Sequence, residues 1–101
     1  MRTHKELVDE IIHNMNWAKI HSVMEHLNWT WISSVDGGVP TIGLLVSTAQ
    51  ESLYRVIQMC ENSENGISSI SCGGFDYRAS KDEDGCINLE LSFVVAEWSA
   101  C

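Results

Sequence analysis

The residues from Ile87 to Trp98 constrain the fold most strongly, because apolar and polar side chains alternate along them. Ile87, Leu89, Leu91 and Phe93 are apolar, and a polar residue separates each from the next. Alternation with a period of two is typical of a β-strand that has one buried face and one solvated face. The rest of the chain must therefore supply the elements that cover this apolar face.

Apolar residues recur at helical spacing in three earlier stretches. The first stripe lies within residues 1–14 and runs on to Met15, and the second lies between Asn16 and Leu27. The two stripes are out of phase, and Asn16 is a good N-cap for the second helix. A third helix is predicted to begin after Thr41, or a few residues later because Gly43 weakens its first turn, and to end near residue 62. Its apolar stripe is Ile42, Leu45, Ala49, Leu53, Val56 or Ile57, and Cys60. The first stripe consists of Leu7, Val8, Ile11, Ile12 and Met15.

Two further strands are predicted. One spans residues 28–34, which are rich in aromatic and β-branched residues, and its position in the sheet is left open. The other spans residues 67–79, with a β-bulge at Gly73-Gly74 that corrects a shift in apolar phase. This register sets Tyr77 opposite Ile87 and Phe75 opposite Leu89. Eight residues then share one face: Ile70, Cys72, Phe75, Tyr77, Ile87, Leu89, Leu91 and Phe93.

These elements predict a two-layer α+β fold in the order α-β-α-β-β. About three antiparallel strands pack against two helices on one face of the sheet. A chain of 101 residues is too short for two independent cores. The predicted organisation is therefore a single domain, residues 15–101, preceded by an N-terminal helical extension, residues 1–14. Because the extension adds a stripe to a core that is already filled, we expect it to pair with a second copy in a homodimer.

The formal charge of −8 is concentrated in the second half of the chain. Residues 51–101 carry nine acidic and three basic residues, whereas residues 1–50 carry five and three. Such a surface repels phosphate and favours basic partners, which argues against direct nucleic-acid binding. We expect the loop joining the last two strands to face the partner. The candidate partner-binding residues are Asp76, Asp82, Glu83, Asp84, Glu61 and Glu64.

Residue patterns for catalysis, metal binding or cofactor binding are absent from the sequence. The four histidines are not spaced three or four residues apart, so helical faces do not bring them together on a metal. Gly73-Gly74 is followed by neither a helix start nor a lysine, as a phosphate loop would require. We therefore predict a non-enzymatic protein without cofactor or metal. Trp29 and Trp31 lie on one strand face, where they either fill the core or form a stacking platform for a nucleotide.

Several short motifs resemble those of small proteins found in tailed-phage and prophage genomes. They are Asn16-Trp17, Trp29-Thr30-Trp31, Val39-Pro40-Thr41, Gly73-Gly74-Phe75 and the stretch LELSFVVAEW at residues 89–98. The resemblance covers about residues 15–98. It implies a phage accessory protein in the cytoplasm of a bacterial host, and it carries over no catalytic residue.

Two functional hypotheses follow. In the first, the acidic protein binds a basic surface of a host protein, such as a component of a nucleic-acid-handling or defence complex. In the second, it binds a small ligand or nucleotide through Trp29 and Trp31. No leader sequence and no apolar stretch of about 20 residues is visible, so we expect a cytoplasmic protein without a membrane partner.

Overall fold

The computed structural model describes residues 3–27 and 40–94. Within these ranges the chain forms three helices followed by three strands. The elements are α1 (His4–Asn14), α2 (Trp17–His26), α3 (Ile42–Glu61), β1 (Ile67–Cys72), β2 (Phe75–Lys81) and β3 (Ile87–Phe93). The predicted strand at residues 28–34 lies outside the described residues.

The break between the first two helices is confirmed. Helix α1 begins with a capping box in which Thr3 and Glu6 each bind the backbone N–H of the other. Helix α2 begins after Asn16, whose side chain accepts a hydrogen bond from the Lys19 N–H at 3.1 Å. At the junction, Trp17 Nε1 donates to the carbonyl oxygen of Ile12 at 2.9 Å. The Ile12 carbonyl also accepts from the Met15 N–H at 3.3 Å, so the tryptophan adds a second hydrogen bond that ties α2 to the end of α1.

Helix α3 begins directly after its predicted N-cap, Thr41. The Thr41 side chain accepts a hydrogen bond from the Leu44 N–H at 3.2 Å, and the helix runs for 20 residues from Ile42 to Glu61. Its predicted apolar stripe forms the buried face, except for Ile42, which is exposed in the first turn. That face consists of Leu45, Ala49, Leu53, Val56, Ile57 and Cys60.

The prediction of a β-bulge at Gly73-Gly74 is wrong. Residues 67–81 form two strands, β1 and β2, joined by a turn in which both glycines have positive φ, 60° and 87°. These φ values match a two-residue type I′ hairpin turn. The turn makes Cys72 a partner of Phe75 and Ile70 a partner of Tyr77. The phase shift therefore arises from a reversal of the chain and not from an extra residue in one strand.

The predicted register against β3 is wrong as well. Phe75 lies opposite Phe93 and Tyr77 lies opposite Leu91, whereas the predicted partners were Leu89 and Ile87. The eight predicted residues still share the helix-facing side of the sheet, because directly paired residues point to the same face. Cys72 is nevertheless exposed near the end of edge strand β1 and does not contribute to the core.

The predicted fold class is confirmed: the described residues form a two-layer α+β fold with a three-stranded antiparallel sheet in the order β1-β2-β3. Helix α3 lies across β1 and β2, α1 lies beside it on β3, and α2 packs on α3. Phe75 is fully buried at the centre of an aromatic group. Its ring centroid lies 5.0 Å from Phe93, 5.9 Å from Trp17 and 6.1 Å from Tyr77.

Helix α1 belongs to the same core. Val8 is fully buried, and Ile11, Ile12 and Met15 pack around the core cluster. The predicted boundary between residues 14 and 15 therefore crosses a packed region. The predicted homodimer rested on the idea that this stripe has no place within its own chain. Since Val8 is covered by its own domain, that reason for a dimer does not hold.

Val8→Asp is expected to cost roughly 3 kcal/mol or more of unfolding free energy, because it buries a carboxylate without a partner. Ala18→Asp, at an exposed position of α2, serves as the control and should change stability by less than about 0.5 kcal/mol. Chemical denaturation at two protein concentrations measures both. An effect of Val8→Asp that depends on protein concentration would show instead that the residue lies in an interface between copies.

Candidate functional site

Five of the six predicted acidic residues come together at one end of the molecule, which we call the acidic end. Helix α3 ends there and the β2–β3 loop turns there. The carbonyl oxygen of Gly66, at the start of β1, accepts a hydrogen bond of 2.7 Å from the Lys81 N–H. This bond brings the segment after α3 beside the loop. The acidic end consists of Glu61, Glu64, Asp82, Glu83 and Asp84, all exposed.

Asp82 shapes the loop. Its Oδ1 accepts hydrogen bonds from the N–H groups of Asp84 at 2.9 Å and Cys86 at 3.0 Å. Its backbone N–H in turn donates to the Cys86 carbonyl at 2.9 Å. A carboxylate that accepts backbone N–H groups in this way fixes a tight turn. Asp82 therefore holds its neighbours in position, and Glu83 and Asp84 are the loop carboxylates that remain available to a partner.

Asp76 does not belong to the acidic end. It lies near the opposite end of β2, where it pairs with Ser71 and Ser92 in the sheet. Its Oδ1 accepts a hydrogen bond from the Ser71 hydroxyl. Six residues along a strand separate Asp76 from Asp82 by about 20 Å, at about 3.3 Å per residue. The predicted clustering of Asp76 with the loop is therefore wrong.

Few positive charges offset the acidic end. His4 Nε2 and Glu61 Oε1 lie 2.7 Å apart and join the first turn of α1 to the last residue of α3. Lys81 is exposed at the end of β2. Among the described residues, the side chains of Glu64, Glu83 and Asp84 take part in no hydrogen bond or ion pair. These carboxylates are solvated and are able to meet a cation of another molecule.

A half-open cleft of about 480 Å³ adjoins the acidic end. It is lined by His4, Leu7, Glu61, Lys81, Gly85, Cys86, Ile87 and Asn88. A second cleft, of about 270 Å³, is lined by Leu7, Glu10, Ile11, Asn14, Ile87, Asn88 and Leu89. The two share Leu7, Ile87 and Asn88, so they form one trough between α1 and β3, which we call the α1–β3 groove.

The groove holds a cysteine and a histidine, yet they do not form a nucleophile–base pair. His4 Nε2 is engaged by Glu61, and no hydrogen bond joins the Cys86 thiol to His4. A nucleophile is activated by a base within hydrogen-bond reach. In the described ranges, no three His, Cys, Asp or Glu side chains stand together as metal ligands would. The described lining of the groove offers apolar and polar contacts to a bound molecule.

Sequence reasoning missed the α1–β3 groove. It assigned Leu7 and Ile11 to an interface between copies and assigned Ile87 and Leu89 to the core. In the structure these four side chains are half-buried and line the sides of the groove. The tryptophans of the alternative ligand site, Trp29 and Trp31, lie outside the described residues, so that hypothesis stays a prediction.

The chain has no significant match among protein families, curated proteins or solved structures. None of the helices in the described ranges has the length and apolar character needed to cross a membrane. The acidic end and the groove beside it are therefore the features of the described residues that bear on function.

Proposed function

We propose that the protein is a non-enzymatic binding module whose acidic end docks on a basic surface of another protein. The observation that carries the proposal is the set of solvated carboxylates of Glu64, Glu83 and Asp84. They project from a hydrogen-bonded loop and from the segment after α3, and they form no ion pair with any described residue. Complementary charge of this kind steers a partner into place and selects basic surfaces over acidic ones.

The resemblance to small tailed-phage and prophage proteins supports a bacterial host protein as the partner. Host proteins that handle nucleic acid carry basic tracks for phosphate, and the acidic end would occupy such a track. A protein with a formal charge of −8 is repelled by the nucleic acid itself. The module then acts in the cytoplasm by competing with phosphate for the host protein.

Neutralising two exposed loop carboxylates tests the proposal. The Glu83→Gln/Asp84→Asn variant is expected to capture the partner roughly 2- to 30-fold less tightly at low salt, because two exposed charge pairs are lost. Asp82 is kept because it holds the loop together. Stability should stay within about 0.5 kcal/mol of the unchanged protein. Capture from bacterial lysate at low and high salt, followed by mass spectrometry, identifies the partner and measures the effect.

The matched control is Glu51→Gln/Asp76→Asn, which removes the same charge far from the acidic end. Glu51 lies about 15 Å along α3 from Glu61, at about 1.5 Å per residue. This control should bind the partner as the unchanged protein does. If both variants weaken capture equally, net charge alone is responsible and the acidic end is not a docking surface. Capture that is indifferent to salt would also contradict the proposal.

A further inference from the structure

At the outer edge of β3, backbone groups are left unpaired by the strands that the structure describes. Two hydrogen bonds, from the Asp82 N–H to the Cys86 carbonyl and from the Val94 N–H to the Gly74 carbonyl, show which residues of β3 are hydrogen-bonded to β2. With the observed register, Asn88, Glu90 and Ser92 are the residues hydrogen-bonded to β2. Ile87, Leu89 and Leu91 alternate with them, so their N–H and C=O groups point away from β2. No residue of the described ranges pairs with this edge.

The α1–β3 groove lies along this same edge. A strand added to β3 would run about 4.8 Å away from it, with every second side chain turned towards the helices. Those side chains would meet Leu7 and Ile11 of α1 and Ile87 and Leu89 of β3. The groove thus offers apolar contacts at the spacing of an extended chain, next to free backbone donors and acceptors.

Charge indicates which side chains an added strand would carry on the face that points away from the groove. The opposite face of the sheet is open, and Glu90 is exposed on it beside Arg78. Side chains of an added strand that point to this face would lie next to Glu90. The groove also opens at one end onto Glu61, Lys81 and Gly85, and the exposed carboxylates of Glu83 and Asp84 immediately precede Gly85 in the loop. A lysine or arginine at alternate positions therefore suits the site.

We propose that the edge of β3 binds an extended segment of the partner protein, in which apolar residues alternate with lysine or arginine. The proposal rests on the proposed function and adds how the partner is held: the acidic end attracts it and the β3 edge binds it as a fourth strand. A second copy of the chain fits less well. Each copy carries a formal charge of −8, and antiparallel pairing about Glu90 would set two glutamates opposite each other.

The test uses the intact protein and a capped heptapeptide of alternating lysine and valine as the probe. Backbone amide exchange, followed by NMR, reports on each residue of β3. The amides of Ile87, Leu89 and Leu91 should exchange markedly more slowly when the peptide is bound. Those of Asn88, Glu90 and Ser92 should change little, because they are already bonded to β2. This alternating protection is specific to strand addition at the β3 edge.

Two modified peptides provide the matched control without altering the protein. In an added antiparallel strand, the valines that face the groove also direct their N–H groups at β3, whereas the lysine N–H groups point outward. N-methylation of the valines should weaken binding more than about tenfold, since two or three hydrogen bonds are lost. N-methylation of the lysines should leave binding nearly unchanged.

Three results would overturn the proposal. The first is equal binding of the two methylated peptides, or binding without protection of Leu89, either of which places the peptide elsewhere. The second is no binding of the unmodified peptide. The third is protection of Ile87, Leu89 and Leu91 in the free protein, which shows that the edge is already paired; protection that rises with protein concentration assigns the edge to a second copy. The proposed function fails separately, if the Glu83→Gln/Asp84→Asn variant still captures its partner fully.

Discussion

Phe75→Ala is expected to lower the unfolding free energy by about 3–5 kcal/mol. The ring of Phe75 is fully buried and lies between those of Trp17, Tyr77 and Phe93. Its removal leaves a cavity where helix α2 meets strands β2 and β3. Domains of this size have only about 5–15 kcal/mol of stability, so the variant should lose a large share of it.

Denaturation in urea measures the effect, and Asp76→Ala is the control because it truncates the neighbouring exposed residue of the same strand. The control should cost roughly 1 kcal/mol at most, since it loses only the hydrogen bond to Ser71. A Phe75→Ala variant as stable as Asp76→Ala would mean that Phe75 is not at the centre of the core.

Gly73→Val and Gly74→Val are each expected to cost about 1–3 kcal/mol, because valine is strained at positive φ. Both glycines have this conformation in the β1–β2 turn. A type I′ turn requires it at both central positions, and the turn also sets the pairing of Cys72 with Phe75. Strain there therefore disturbs the register that places Phe75 in the core.

Two substitutions separate the requirement for positive φ from other effects of a side chain. Gly73→Asn should cost much less than Gly73→Val, because asparagine tolerates the left-handed conformation. Ser92→Val, on the open face of β3, should change stability by less than about 0.5 kcal/mol. Thermal and urea unfolding compare the four variants. Equal stability of the two valine variants at the glycines and Ser92→Val would contradict the turn.

The helices were the most predictable part of the fold, because their signals are local. Asn16 and Thr41 stand immediately before the helices that they cap, and the predicted stripe of α3 matches its buried face except at Ile42, which is exposed. Capping depends on one side chain and a backbone N–H three residues away, so no knowledge of the tertiary structure is needed.

The hairpin at Gly73-Gly74 was missed because the apolar phase does not distinguish it from a bulge. In both arrangements Ile70 and Cys72 share a face with Phe75 and Tyr77. Two glycines flanked by alternating residues are, however, a recognised hairpin signal, and 13 residues is long for one strand. The length of the segment and its two adjacent glycines together favour a hairpin, whereas the apolar phase alone fits a hairpin and a bulge equally well.

The sequence predicted a cluster of acidic residues near the last loop, but it wrongly included Asp76 in that cluster. Asp82, Glu83 and Asp84 are adjacent in sequence. Glu61 and Glu64 lie at and just after the predicted end of the third helix. The position of Asp76 depends on where the chain reverses, so the error at the hairpin displaced it to the wrong end of β2. Likewise, whether Val8 packs within its own chain depends on tertiary contacts that no local pattern encodes.

The three strands follow one another along residues 67–93, so each strand pairs with its immediate neighbour in sequence. Short hairpin connections close quickly, because little chain entropy is lost before the first contacts form. By contrast, the contact between His4 and Glu61 joins segments that are far apart in sequence. We therefore expect the contacts within the sheet to form before those that join α1 to α3.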